Sequence, residues 1–268
     1  MTLPVDRGSD AVPEPARVSH PATEATTDAE LAPAWADLDD PGPWAMQLAL
    51  RYDKAALPSH RAVCAAAARA VVTLLADERS RGAGEWAPYV HRWRDGRIRK
   101  LARRARGVRW DRVQGLPGVT VVEGAAQVRA FVPRPARPLP PALDDLQVSG
   151  TSYPRPEGST GEEPDTRQGE SAPVVTVALT PYAELTTGKA AAQCGHAAQL
   201  AWEDLVLRGE AATLRAWFED GWRVRVVEPD EASWQALAGA PISVVDAGYT
   251  EVDGPTQTAR AWWRSLAG

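Results

Sequence analysis

Residues 174–202, VVTVALTPYAELTTGKAAAQCGHAAQLAW, decide how the chain folds. The opening VVTVALT is a short β-branched, apolar run, the pattern of a buried strand. From Lys189 the sequence turns Ala-rich with helical spacing, so a strand is followed by a helix. A stretch 129 residues earlier has the same order: WAMQLALRY at 44–52, then HRAVCAAAARAVVTLL from His60. Without a gap, His60 falls opposite Lys189 and Cys64 opposite Gln193. More landmarks repeat in sequence: WRDG at 93–96 and WFEDG at 217–221, then WDRVQGLP at 110–117 and WQALAGAP at 234–241. A β run ending in an acid follows each, at Glu123 and Asp246, and a closing strand ends each copy. Several landmarks in the same order indicate an internal duplication.

Each copy reads β-α-α-β-α-β-β. Helices between strands require crossovers over a mixed sheet, with layers on both faces. The expected fold class is therefore α/β: two tandem three-layer α/β/α units, at 41–132 and 173–268. Each has about 95 residues, enough for a thin core, which packing one unit on the other would thicken. Residues 1–40, rich in Pro, Ala, Thr and Asp, read as a disordered acidic tail. Residues 133–172, rich in Pro, Gly, Ser and Glu, read as a linker. No apolar run is long enough to span a membrane, and MTLPVDRGSD lacks the pattern of a secretory leader. The two cysteines, Cys64 and Cys194, read as reduced, buried thiols, and a cytoplasmic location is expected. The eleven tryptophans read as core and interface residues.

Charge separates the copies. Residues 41–132 hold 17 Lys+Arg against 7 Asp+Glu, a net of +10, and residues 173–268 hold 7 against 12, a net of −5. The densest basic stretch is RDGRIRKLARRARGVRWDR, 94–112, with Arg97, Arg99, Lys100, Arg103, Arg104, Arg106 and Arg109 as candidate RNA contacts. Such a strip attracts a polyanion and releases counterions from each phosphate it neutralises. A solvated basic face is the other reading.

Lys189, Gln193 and His196 stand at i, i+4 and i+7, on one stripe of a helix whose neighbours are small. Lys189 sits in the first turn, against the helix dipole, which suits an anionic partner such as Asp246 or a phosphate. The stripe also fits an exposed amphipathic face. Asp246 ends a β run, where strand termini in α/β sheets present reactive groups. Thr250 follows, and Thr256 and Thr258 open the next strand beyond the turn at Gly254 and Pro255. A carboxylate among hydroxyls can hold and polarise water; it can equally cap a turn. TTGK lacks the earlier Gly and the Ser/Thr of a P-loop. Cys194 and His196 point apart on a helix, which argues against a dyad, and they are too few for zinc. No metal and no cofactor are expected.

Taken together, GKAAAQCGHAA at 188–198 and DAGYTEVDGPTQT at 246–258 resemble the two signatures of the type 2 peptidyl-tRNA hydrolases, over essentially all of 173–268. The resemblance implies a four-stranded mixed sheet between helices and metal-independent hydrolysis of the ester joining a peptide to tRNA. It also implies catalytic roles for Lys189, Asp246, Thr250 and Thr258, with Gln193, His196, Thr256 and Gly188 around the substrate. This chain departs from the pattern with LTT before Gly188, Tyr249 in place of a frequent Arg, and a shorter closing strand, so this unit is poorer in basic surface. The N-terminal copy has His60 for Lys189, Cys64 for Gln193 and Ala67 for His196, and no DAGxT run, so it is expected to be catalytically inert. Its partners are expected to be peptidyl-tRNA or another tRNA, with the two units paired as an intramolecular pseudo-dimer or the chain paired as a homodimer. The alternative is a non-catalytic RNA-binding protein that keeps the fold.

Overall fold

The structure is a computed structural model and describes residues 36–155, 174–246 and 256–264; for Asp246 it describes the backbone only. The first unit runs β1 (Trp44–Arg51), α1 (His60–Ala76), α2 (Ala87–Arg94), β2 (Arg99–Ala105), α3 (Val108–Val113), β3 (Gly118–Glu123) and β4 (Ala126–Phe131). A two-residue strand β5 (Arg134–Pro135) and a short helix α4 (Pro141–Asp144) follow. The second unit repeats the order as β6 (Val175–Leu179), α5 (Thr187–Leu207), α6 (Ala211–Glu219), β7 (Val224–Val227), α7 (Glu231–Ala236), β8 (Ile242–Asp246) and β9 (Thr256–Trp263).

The sheets share one topology. The first is ordered β2-β1-β4-β3 and the second β7-β6-β9-β8, and β5 adds to the start of β1. In each, the first two strands are parallel and the other pairs antiparallel. This is the mixed α/β architecture expected from the sequence. β1 is central and covered on both faces, which explains its nearly unbroken apolar run.

The repeated Trp landmarks do the same structural job in both copies. The indole of Trp93 donates to the Arg99 carbonyl (3.0 Å), and that of Trp217 to the Arg223 carbonyl (2.8 Å). Each bond fastens a helix to the approach of the next strand while its ring fills the core.

The two units share their middle layer. α1 covers β3 and β4 of its own sheet and reaches β7 of the other; α5 covers β6, β8 and β9 and reaches β2. Small residues on the facing stripes, Ala66, Ala67 and Ala70 against Ala190, Ala191 and Ala197, are fully buried in one continuous core. Gly195 sets the closest approach: a Cβ there would come within 2.9 Å of Val71 Cγ2. α3 and α4 cover the outer face of the first sheet through Trp110, Val113, Leu143 and Leu146. Ser59 starts α1 by accepting the Ala62 amide (3.2 Å), a cap of about 1 kcal/mol.

The described part of the stretch read as a linker, 133–155, is built into the fold. Besides β5 and α4, Gln147 bridges Arg104 of β2, and Tyr153 is buried with its hydroxyl donating to the Arg51 carbonyl (2.7 Å). Proline holds such a strip extended with few amides to satisfy, so it can lie on a sheet without joining it, anchored by Leu143, Leu146 and Tyr153. Residues 1–35 of the tail and 156–172 of the linker lie outside the described residues. Among the described residues no helix is long and apolar enough to cross a membrane.

Candidate active site

The two candidate motifs come together at α5, β8 and β9. Gln193, two turns into α5, is almost wholly buried, and its side-chain oxygen accepts the hydroxyl of the fully buried Thr258 on β9 (2.9 Å). The same hydroxyl lies 3.4 Å from the Val244 carbonyl of β8. One threonine thus pins the helix to both antiparallel strands. Lys189 stands one turn before Gln193 and His196 about one turn after it, both half-buried.

Thr256 lies two residues before Thr258 on the same strand, in register with Asp246 at the end of β8. The pairing of β8 with β9 shifts between Val244 and Val245. A bulge at that point re-aims the last residues of a strand and is common beside active sites. The carboxylate of Asp246 and the whole of Thr250 lie outside the described residues. The structure therefore joins Gln193 with Thr258 directly, and sets Lys189, His196, Thr256 and the Asp246 backbone on elements in contact.

Gly188 serves the other side of the helix start. Its amide donates to the Thr151 carbonyl (3.1 Å), and a Cβ there would meet Thr151 at 3.4 Å and Ala102 of β2 at 3.8 Å. The first turn of α5 is thus wedged against the N-terminal unit. Among the described residues no group of three His, Cys, Asp or Glu side chains is placed to hold a metal ion.

Comparison of the chain with protein-family models, curated proteins and solved structures returned no match.

The equivalent end of α1 is filled by a buried polar cluster. His60 is fully buried, its Nδ1 2.9 Å from the Thr187 hydroxyl. Its Nε2 lies 3.6 Å from Glu228 Oε1, 3.7 Å from Cys64 Sγ and 3.3 Å from Arg155 Nη2. Glu228 also faces Arg61 (3.4 Å) and Arg155 (3.2 Å). Burial, and then the neighbouring Cys194 thiol, push the Cys64 thiol well above its ordinary range. His60 and Cys64 therefore belong to the seam between units. The two cysteines, distant in sequence, are neighbours in the fold and both are free.

The basic strip divides by burial. Arg97, Arg99, Arg106 and Arg109 are exposed and Arg104 is half-buried. Lys100 and Arg103 do not belong to that surface, a correction to the reading of the strip as one RNA-binding face. Lys100 Nζ donates to Gln199 Oε1 of α5 (2.5 Å) and sits 4.9 Å from the centre of the Trp93 ring. Burial lowers its pKa to about 7, with Glu203 opposing. Arg103 is buried, donating to Gln47 (2.8 Å) and to the carbonyls of Leu143 and Leu146 (3.3 Å each). The signal for both lay in their partners: Gln47 inside an apolar strand and Gln199 inside an apolar helix each need a polar neighbour.

Proposed function

We propose that this chain hydrolyses the ester of peptidyl-tRNA, or of a related acyl-tRNA, at the C-terminal unit. The observation that carries this reading is the buried Thr258–Gln193 hydrogen bond, which ties the two candidate motifs into one place. In this reading Asp246, oriented by Thr250, takes a proton from a water as that water attacks the ester carbonyl. Lys189 steadies the carboxylate and the developing oxyanion. Collapse of the tetrahedral intermediate breaks the bond to the ribose oxygen, which receives the proton held by Asp246. The products are free tRNA and the peptide acid. Thr258 acts here as a positioning residue: its proton is committed to Gln193 and the Val244 carbonyl. Ester cleavage is an undemanding reaction, so positioning and electrostatics suffice without a metal. The work is then cytoplasmic, where tRNA is charged and read.

The test uses the full chain and an N-acetylaminoacyl-tRNA, following release of the acyl group. Wild type should hydrolyse the ester, and Lys189→Ala and Asp246→Asn should each lower kcat by about 100-fold or more. Undiminished rates in both variants would refute the assignment. Tight tRNA binding with no ester cleavage by wild type would favour the non-catalytic reading instead.

A further inference from the structure

Lys100 of β2 packs beside Gly195 of α5, and Ala102 packs beside Gly188. β2 therefore runs opposite to α5, and its C-terminal end arrives at the helix start. Alternate residues of a strand share a face and advance together by about 6.7 Å. Arg104, next after Ala102 on that face, thus stands one step beyond Gly188, the residue that precedes Lys189. The strip of one unit ends at the start of the helix that carries Lys189 in the other.

Two guanidinium groups gather there on one ring. Arg106 lies 4.4 Å and Arg104 5.1 Å from the centre of the Tyr52 ring, at the end of β1. Tyr52 is braced edge-on by Tyr153 (5.1 Å between centres), and the Tyr153 amide donates to the Thr187 hydroxyl at the start of α5 (3.0 Å). The platform is thereby fixed to the helix that carries Lys189. Gln147 accepts one N–H of Arg104; a guanidinium has five. Among the described residues no carboxylate pairs with Arg104, Arg106 or Arg109, while nearby Asp53 faces Arg51 (3.8 Å). Cations held side by side raise the local positive potential, which draws an anion.

We infer that Arg104 and Arg106, posted on Tyr52, grip the RNA backbone of the substrate next to the scissile ester, so that the inert unit completes the site of the other. This inference rests on the esterase reading for the identity of the site. The ligand is a polyanion rather than a lone ion. Arg97 and Arg99 extend the positive charge toward the other end of β2, a strand of seven residues or about 20 Å, room for several phosphates. The C-terminal unit, at net −5, is poorly supplied with cations of its own.

The experiment compares wild type, R104Q/R106Q and R97Q/R99Q as full chains. Binding of a fluorescent, deacylated tRNA is measured across a salt series, and hydrolysis of N-acetylaminoacyl-tRNA in parallel. R104Q/R106Q should raise Kd and KM at least tenfold, reduce the salt slope by about two, and leave kcat near wild type. R97Q/R99Q should raise KM much less. Unchanged Kd, KM and slope in R104Q/R106Q would overturn the grip while leaving the esterase reading intact. If wild type binds tRNA through these arginines yet cleaves nothing, the grip stands and the esterase reading fails. Absence of tRNA binding by wild type overturns the grip outright. Neither Arg104, half-buried, nor Arg106, exposed, belongs to the core, and the Y52L variant provides a second check: it should weaken binding while both guanidinium groups remain.

Discussion

Lys100 gives the fold a pH dependence that can be worked out in advance. Its amine is enclosed between Trp93 and Gln199, and burial lowers its pKa from 10.5 to about 7. Holding the amine neutral over that interval corresponds to roughly 5 kcal/mol at 1.36 kcal/mol per tenfold. Part of the side chain reaches solvent, so about 2 kcal/mol is the working figure. The folded pKa is depressed, so the unfolded chain binds more protons between about pH 7 and 10.5. The lysine's contribution to stability is therefore fully present above the unfolded pKa and is lost as pH falls toward 7. Urea unfolding, read by Trp fluorescence, should be compared for wild type and Lys100→Met from about pH 6.5 to 9.5. The lost Gln199 hydrogen bond and changed packing are the same at every pH, so they cancel in the trend. The stability of wild type relative to the variant should rise by about 2 kcal/mol with pH. A difference that stays flat across this range would show that the amine is solvated and charged, and the reasoning would fail.

Other consequences are as concrete. Thr258→Val should cost about 1 kcal/mol by removing the buried hydrogen bond to Gln193, and should lower kcat on an acyl-tRNA ester with little change in KM. Gly195→Leu should destabilise the whole chain, both sheets melting together, because its side chain collides with Val71; calorimetry showing two separate transitions would contradict the shared layer. Trp93→Phe and Trp217→Phe should each lose about 1 kcal/mol, since the two indoles make equivalent bonds, and a large disparity in urea midpoints would argue against equivalence.

The fold was legible because a repeated pattern carries its own check. The Trp residues of WRDG and WFEDG could be aligned before any strand was placed, and both indoles make the same bond. Gln193 and Thr258 were legible through motif resemblance, and they meet. What the sequence hid was direction. In RDGRIRKLARRARG every second residue can be basic, so composition does not reveal which side faces the core. Lys100 and Arg103 turn inward because Gln199 and Gln47 wait there. The role of 133–155 was hidden too: proline-rich composition describes stiffness and says nothing of what the strip lies against. The neighbouring thiols of Cys64 and Cys194 follow from α1 packing on α5, a long-range contact that no local pattern encodes.

The common helical layer has an implication for how such a chain can change over time. In an assembly of identical subunits, every substitution appears on both partners, so neither half can trade chemistry for charge without the other doing so. Joining the halves in one polypeptide lifts that constraint. One half is free to accumulate arginine while the other does not, and the buried helices hold the two in constant register.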